Sequence, residues 1–108
     1  DPRGRQEVHA LLRRLRDEEG VTVLLISNDM DEVAEVAEQV TVLHAGRTVL
    51  AGEVHQVFSQ YEVLTAAGLG LPTAVEIVRA LAQEGVPVSG RPVRAAEVEE
   101  ALWQTLRS

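Results

Sequence analysis

Residues 21–27 read VTVLLIS, a run in which every position but Thr22 and Ser27 is aliphatic. A nearly continuous aliphatic and β-branched stretch of strand length suits a strand buried on both faces of a parallel sheet. An antiparallel strand with one wet face would instead alternate. The flanks narrow the choice. Upstream, Val8, Leu11, Leu12 and Leu15 recur at i, i+3, i+4 and i+7, the stripe of an amphipathic helix, with Arg13, Arg14 and Arg16 largely off it. Asp1-Pro2 reads as the N-cap and first position of that helix, and Gly20 as its stop. Downstream, Asn28-Asp29 ends the run, and Asp29 with Glu32 predicts a capping box opening a second helix to about Glu38. Helix, buried strand, helix is the rhythm of an α/β sheet.

Beyond that unit the pattern shortens. Val40 to His44 and Arg47 to Ala51 flank Ala45-Gly46 and predict a β-hairpin with a tight turn. From about Gly52 onward the chain reads as all helix: a short one over Glu53 to Phe58, another near Tyr61 to Ala67, then a Gly-Leu-Gly-Leu-Pro break. Thr73 and Glu76 predict a second capping box, opening a helix whose Ala74, Ile77, Val78 and Leu81 share a face and which Gly85 stops. Val86 to Pro92 is a connector. A last amphipathic helix over about Ala95 to Leu106 sets Val98, Leu102 and Leu106 on one side.

Composition excludes several classes of activity. Hydrophobic residues make up 45% of the 108 and charged ones 25%, the balance of a globular chain rather than a disordered one. The net charge of −7 argues against a polyanion-binding surface, which needs clustered cations. The absence of cysteine removes disulfide, thiolate and zinc-ribbon chemistry and fits a cytoplasmic setting. No run approaches the roughly 20 apolar residues that span a bilayer, and the N-terminus does not read as a secretory signal. All ten basic residues are arginine, so the chain holds no GxxxxGK[ST] phosphate loop and no lysine base. It opens on Asp1 rather than on methionine, the start expected of a fragment or a processed product.

Few side chains stand out chemically. His9, His44 and His55 are far apart in sequence, without i, i+4 pairing or a carboxylate at ligand spacing, and read as structural rather than metal-binding. Gly68-Leu69-Gly70 follows no strand and lacks the third glycine of a dinucleotide fingerprint. Glu18-Glu19 and Glu99-Glu100 lie on polar helix faces, and no serine sits in a GxSxG elbow. The remaining candidate is the polar corner Ser27-Asn28-Asp29-Met30, because ligands of open α/β sheets bind at the carboxyl ends of the strands. Asparagine at a strand end is also an ordinary turn residue.

The segments DPRGR at 1–5, VTVLLISNDMDEVAEVAEQV at 21–40, VLHAGRTVLAGE at 42–53 and QVF at 56–58 resemble the C-terminal part of an ABC transporter ATP-binding subunit. LTAAGLGLPTAVEIVRALAQEG at 64–85 resembles the extra C-terminal region of the energy-coupling-factor group, whose ATPases drive uptake of vitamins and of transition metals such as cobalt and nickel. The resemblance implies an α/β fold. Residues 1–58 would be the C-terminal portion of a P-loop-type nucleotide-binding domain, a parallel strand plus closing hairpin, and 59–108 a helical dimerisation region.

The resemblance also implies roles. Asp1 matches the D-loop aspartate at the interface of the ATPase dimer, and Asn28 falls where the family usually has the switch histidine that contacts the γ-phosphate. The phosphate loop, glutamine loop, signature motif and second acidic strand have no counterpart here. ATP and magnesium are therefore expected of a full-length parent and not of this chain, with no metal site of its own. An amide cannot take up a proton as histidine does, and losing a positioned donor at a transferring phosphoryl group costs about 10²–10³ in rate. The implied partners are a second ATPase subunit and a transmembrane transport component, with no nucleic acid, and the implied location is the cytoplasmic face of the membrane. The alternative reading is a free-standing, non-catalytic interaction module. It would bury Val21 to Ser27 in its own small sheet and dimerise through its C-terminal helices, with Trp103 near the binding face.

Overall fold

The computed structural model describes residues 2–107, apart from the Pro2 side chain. Among these described residues six helices and one hairpin follow in the order α1 (Pro2–Asp17), α2 (Met30–Val36), β1 (Gln39–His44), β2 (Arg47–Glu53), α3 (Val54–Phe58), α4 (Tyr61–Ala66), α5 (Thr73–Gln83) and α6 (Ala95–Arg107). The architecture is α/β, and its sheet is the two-stranded antiparallel pair β1–β2.

Local chemistry sets most boundaries. Helix α1 ends as its glycine requires: Gly20 takes φ +67° and the Val21 N–H reaches back to the Leu15 carbonyl at 3.0 Å. At the hairpin turn Ala45 and Gly46 both have positive φ, +52° and +75°, the geometry of a type I′ turn whose twist matches the flanking strands. Register runs Gln39 opposite Glu53 to Val42 opposite Leu50, then shifts so that Leu43 faces Thr48, leaving Val49 as a bulge.

The core is one cluster that draws on both sides of residue 58. Ala34 of α2, Val54 and Phe58 of α3, Leu64 of α4, Val75 of α5 and Val93 of the whole segment that joins α5 to α6 (84–94, the connector of the structure) are buried together, with Val40, Val42 and Leu50 of the hairpin against them. Phe58 and Leu64 are its largest fully buried members.

Two expectations are corrected. Val21–Ser27 forms no strand: the segment pairs with no other among the described residues, and Leu24 and Ile26 are 86% and 88% exposed. The parallel strand at whose carboxyl end Asn28 was expected is therefore not formed, since a strand exists only through its ladder partners. On α1, Val8 and Leu11 of the apolar stripe are exposed and Leu12 and Leu15 half-buried, while His9, Arg13 and Arg16 tie the helix to α2 through Glu32, Glu35 and the Val36 carbonyl. Second, neither capping box closes. Glu32 is drawn away to His9, and the Asp29 N–H is taken by Ser27 Oγ at 3.0 Å. Thr73 lies inside α5, one position after the N-cap Pro72, which carries no side-chain cap. None of the helices is long and apolar enough to cross a membrane among the described residues.

Candidate functional site at the Asn28 corner

Asn28 sits in the bend between the unpaired segment 21–27 and α2, and is exposed. Its neighbours are fixed by short-range bonds. Asp29 caps α2, its Oδ1 accepting from the N–H groups of Asp31 at 3.0 Å and Glu32 at 3.3 Å. Arg5 of α1 approaches the other Asp29 oxygen at 3.7 Å. These bonds bypass the Asn28 amide and leave it facing solvent. The amide itself offers a ligand hydrogen bonds and no charge, and the cation at the corner, Arg5, faces the Asp29 carboxylate. Asp1, the other expected site residue, lies outside the described residues.

What the sequence did not reveal is how firmly α2, the helix that follows Asn28, is held. From α1, His9 Nε2 lies 3.2 Å from Glu32 Oε2, Arg13 pairs with Glu35 at 2.6 Å, and Arg16 pairs with Glu38 at 2.6 Å. Arg16 also pairs with Asp17, and that hydrogen bond is the largest cause of the Arg16 guanidinium being held protonated beyond its ordinary range. From α5, Thr73 donates its backbone N–H to Asp31 Oδ1 at 2.7 Å and its hydroxyl to Oδ2 at 2.8 Å. Asp31 therefore performs, from another helix, the capping expected of Thr73 and Glu76. From the connector, Arg94 Nε donates to the Ala34 carbonyl at 2.7 Å and Nη2 to that of Ala37 at 3.2 Å, meeting carbonyls that the end of α2 leaves open. An open groove of about 440 Å³ runs between α2, α5 and α6, with Ile77, Val98 and Leu102 on its apolar side and Asp31 and Glu35 on its polar side.

Of the histidines, His9 and His55 have carboxylate partners; His55 lies between Glu53 and Glu97. Glu53, two residues before His55, is a partner the spacing argument passed over; Glu97 comes from a distant helix and leaves no sequence signal. Among the described residues no three such groups converge to hold a metal ion.

The sequence is related to the ATP-binding subunits of ABC-type transporters. Within them it is related to the energy-coupling-factor group. Over all 108 residues it is 33% identical to the energy-coupling factor transporter ATP-binding protein EcfA2 of Clostridium perfringens, covering 38% of that protein. Over 102 residues, 94% of the chain, it is 33% identical to the protein of the same name from Streptococcus pyogenes serotype M28, covering 36% of it. The chain thus spans well under half the length of the curated relatives it matches. No family model matches it.

Proposed function

We propose that the chain is the C-terminal part of the ATP-hydrolysing subunit of an energy-coupling-factor importer of transition metal ions or vitamins. Residues 1–58 complete the nucleotide-binding domain and 59–108 form its helical dimerisation region. The observation that carries this reading is the run Val21–Ser27: an aliphatic strand sequence, unpaired among the described residues, with Val21, Leu24 and Ile26 exposed, leading into Asn28. Such a run has the chemistry of a central strand whose neighbours lie elsewhere in the protein. Likeness to the relatives along the whole chain, over only 38% of their length, supports the same reading.

In this reading α2 is held rigidly so that the residue before it is positioned, and the position of the switch histidine is filled by Asn28. The residues at the corner do not fit a nucleotide or magnesium by themselves. The chain alone neither binds ATP tightly nor hydrolyses it; both belong to the assembled subunit. A second ATPase subunit meets the helical region, where the groove between α5 and α6 is open, and Asp1 contributes to the nucleotide interface. A membrane-embedded component takes up the motion, so the subunit works at the cytoplasmic face.

Sequencing the coding DNA upstream of Asp1 tests the parentage. An in-frame phosphate loop, signature motif and acidic strand are expected, and their absence overturns it in favour of a self-contained binding module. In the full-length protein, Asn28→His is expected to raise ATP hydrolysis, up to about 10²-fold if this site limits turnover. An unchanged or lower rate overturns the weakened-site reading.

A further inference from the structure

Away from the Asn28 corner, one polar cluster joins three elements. His55, in the first turn of α3, holds its imidazole between two carboxylates: Nδ1 lies 2.5 Å from Glu53 Oε2 and Nε2 lies 2.8 Å from Glu97 Oε2 of α6. Arg94 Nη1 donates to the same Glu97 oxygen at 3.2 Å, while its other nitrogens hold the Ala34 and Ala37 carbonyls at the end of α2. The second Glu97 oxygen accepts the N–H groups of Val93 and Arg94 and so caps the start of α6.

A neutral imidazole carries one N–H and one lone pair. Either neutral tautomer would therefore turn a lone pair toward a carboxylate oxygen at hydrogen-bonding distance. Only the imidazolium donates to both. The charged groups facing it are Glu53 from the end of β2 and Glu97 from α6, with Arg94 from the connector behind Glu97.

We propose that Glu53, His55, Glu97 and Arg94 form a proton-dependent clasp that fastens α6 to the β2–α3 corner and to α2, and that loosens α6 when His55 loses its proton. The rest of α6 makes this clasp decisive. Val98 is its one buried residue, while Trp103 and Leu106 are exposed, so apolar packing holds only its first turns. The titration behaviour has the matching sign. The hydrogen bond to Glu53, then those to and charge of Glu97, raise His55 above its ordinary range against the opposing effect of burial. A group raised in the docked state stabilises docking fully below its free value and ceases to do so as pH rises through the docked value. The proposal concerns this chain alone and does not depend on the nucleotide reading.

The test follows His55 by two-dimensional ¹H–¹³C NMR and α6 by amide exchange, on the whole chain from about pH 5.5 to about pH 9. His55 is expected to titrate above the ordinary histidine value of about 6.5. Through the same midpoint, α6 protection, corrected for intrinsic exchange, is expected to fall about two- to fivefold, the range that half-exposed ion pairs support, while the hairpin keeps its protection. His55→Gln should remove the pH step. Should that variant not fold, Glu53→Gln should lower both the His55 midpoint and the α6 step together. A His55 midpoint at or below about 6.5, a step that survives in His55→Gln or stays put in Glu53→Gln, or a hairpin that opens together with α6, overturns the clasp.

Discussion

Truncating two leucines separates the structure described here from the buried parallel strand that the sequence alone suggests. Leu64 is fully buried in the core, whereas Leu24 is 86% exposed. Replacing Leu64 with alanine removes about three methylene equivalents, worth about 0.8 kcal/mol each in transfer, and leaves a cavity, for a total loss of about 2–5 kcal/mol. A domain of this size has only about 5–15 kcal/mol to lose, so outright unfolding of Leu64→Ala is within the expected range. Leu24→Ala, by contrast, removes almost no buried area and should stay within about 0.5 kcal/mol of the parent. In a strand buried on both faces it would cost as much as Leu64→Ala. Urea unfolding followed by far-ultraviolet circular dichroism, at several protein concentrations, measures both. A loss above about 1.5 kcal/mol for Leu24→Ala would refute the reasoning, because it requires the run to be covered, by the chain or by a second copy.

Three further outcomes follow from the same geometry. Removing either side of the tie between α2 and α5, with Asp31→Asn or Thr73→Val, should cost about 0.5–1.5 kcal/mol, and the double variant should cost less than the sum, which a double-mutant cycle on urea midpoints reads directly. Ala45→Asn places a residue tolerant of positive φ in the hairpin turn and should stabilise by up to about 1 kcal/mol; a lower thermal midpoint would contradict the type I′ assignment. On the acid side, Glu53 is held below the usual carboxylate range, chiefly by its hydrogen bond to His55. Glu97 is also held below it: burial, its largest single influence, pushes upward and is outweighed by the Val93 N–H, His55 and Arg94. Their stabilisation is present above the ordinary glutamate value and is lost as pH falls through the lowered ones, so thermal melts should show an acid decline that Glu97→Gln reduces.

How much of this was legible in the sequence depended on how far each interaction reaches along the chain. The hairpin, the Gly20 stop, the Asp29 cap and the order of the later helices rest on neighbours within a few residues, and each leaves a local signature. The ties that set the tertiary arrangement do not. Asp31 caps a helix 42 residues away, and His9 takes Glu32 from its own capping box across 23 residues. The α1 stripe marked a face that wants burial without saying what would bury it, and Arg13 and Arg16, which tie α1 to α2, were legible only as residues off that stripe. Val21–Ser27 was legible as strand chemistry. Its pairing was not, because a strand is defined by neighbours and the described residues supply none. At the candidate site the corner and Asn28 were legible, while the bracing of α2 behind them was not.

That bracing has a consequence for how the molecule is assembled. Seven residues are too few to stay helical in water by themselves, since nucleation outweighs the few bonds gained. The bonds that hold α2 come from partners 20, 42 and 60 residues distant, so each loop must close before its bond can form. Helicity at 30–36 is then a late, collective event in folding, arriving only after both flanking stretches of chain have come in. Substitutions there should speed unfolding and leave the folding rate nearly untouched. A single spectroscopic label on α2 would report the completion of the whole structure rather than of one helix.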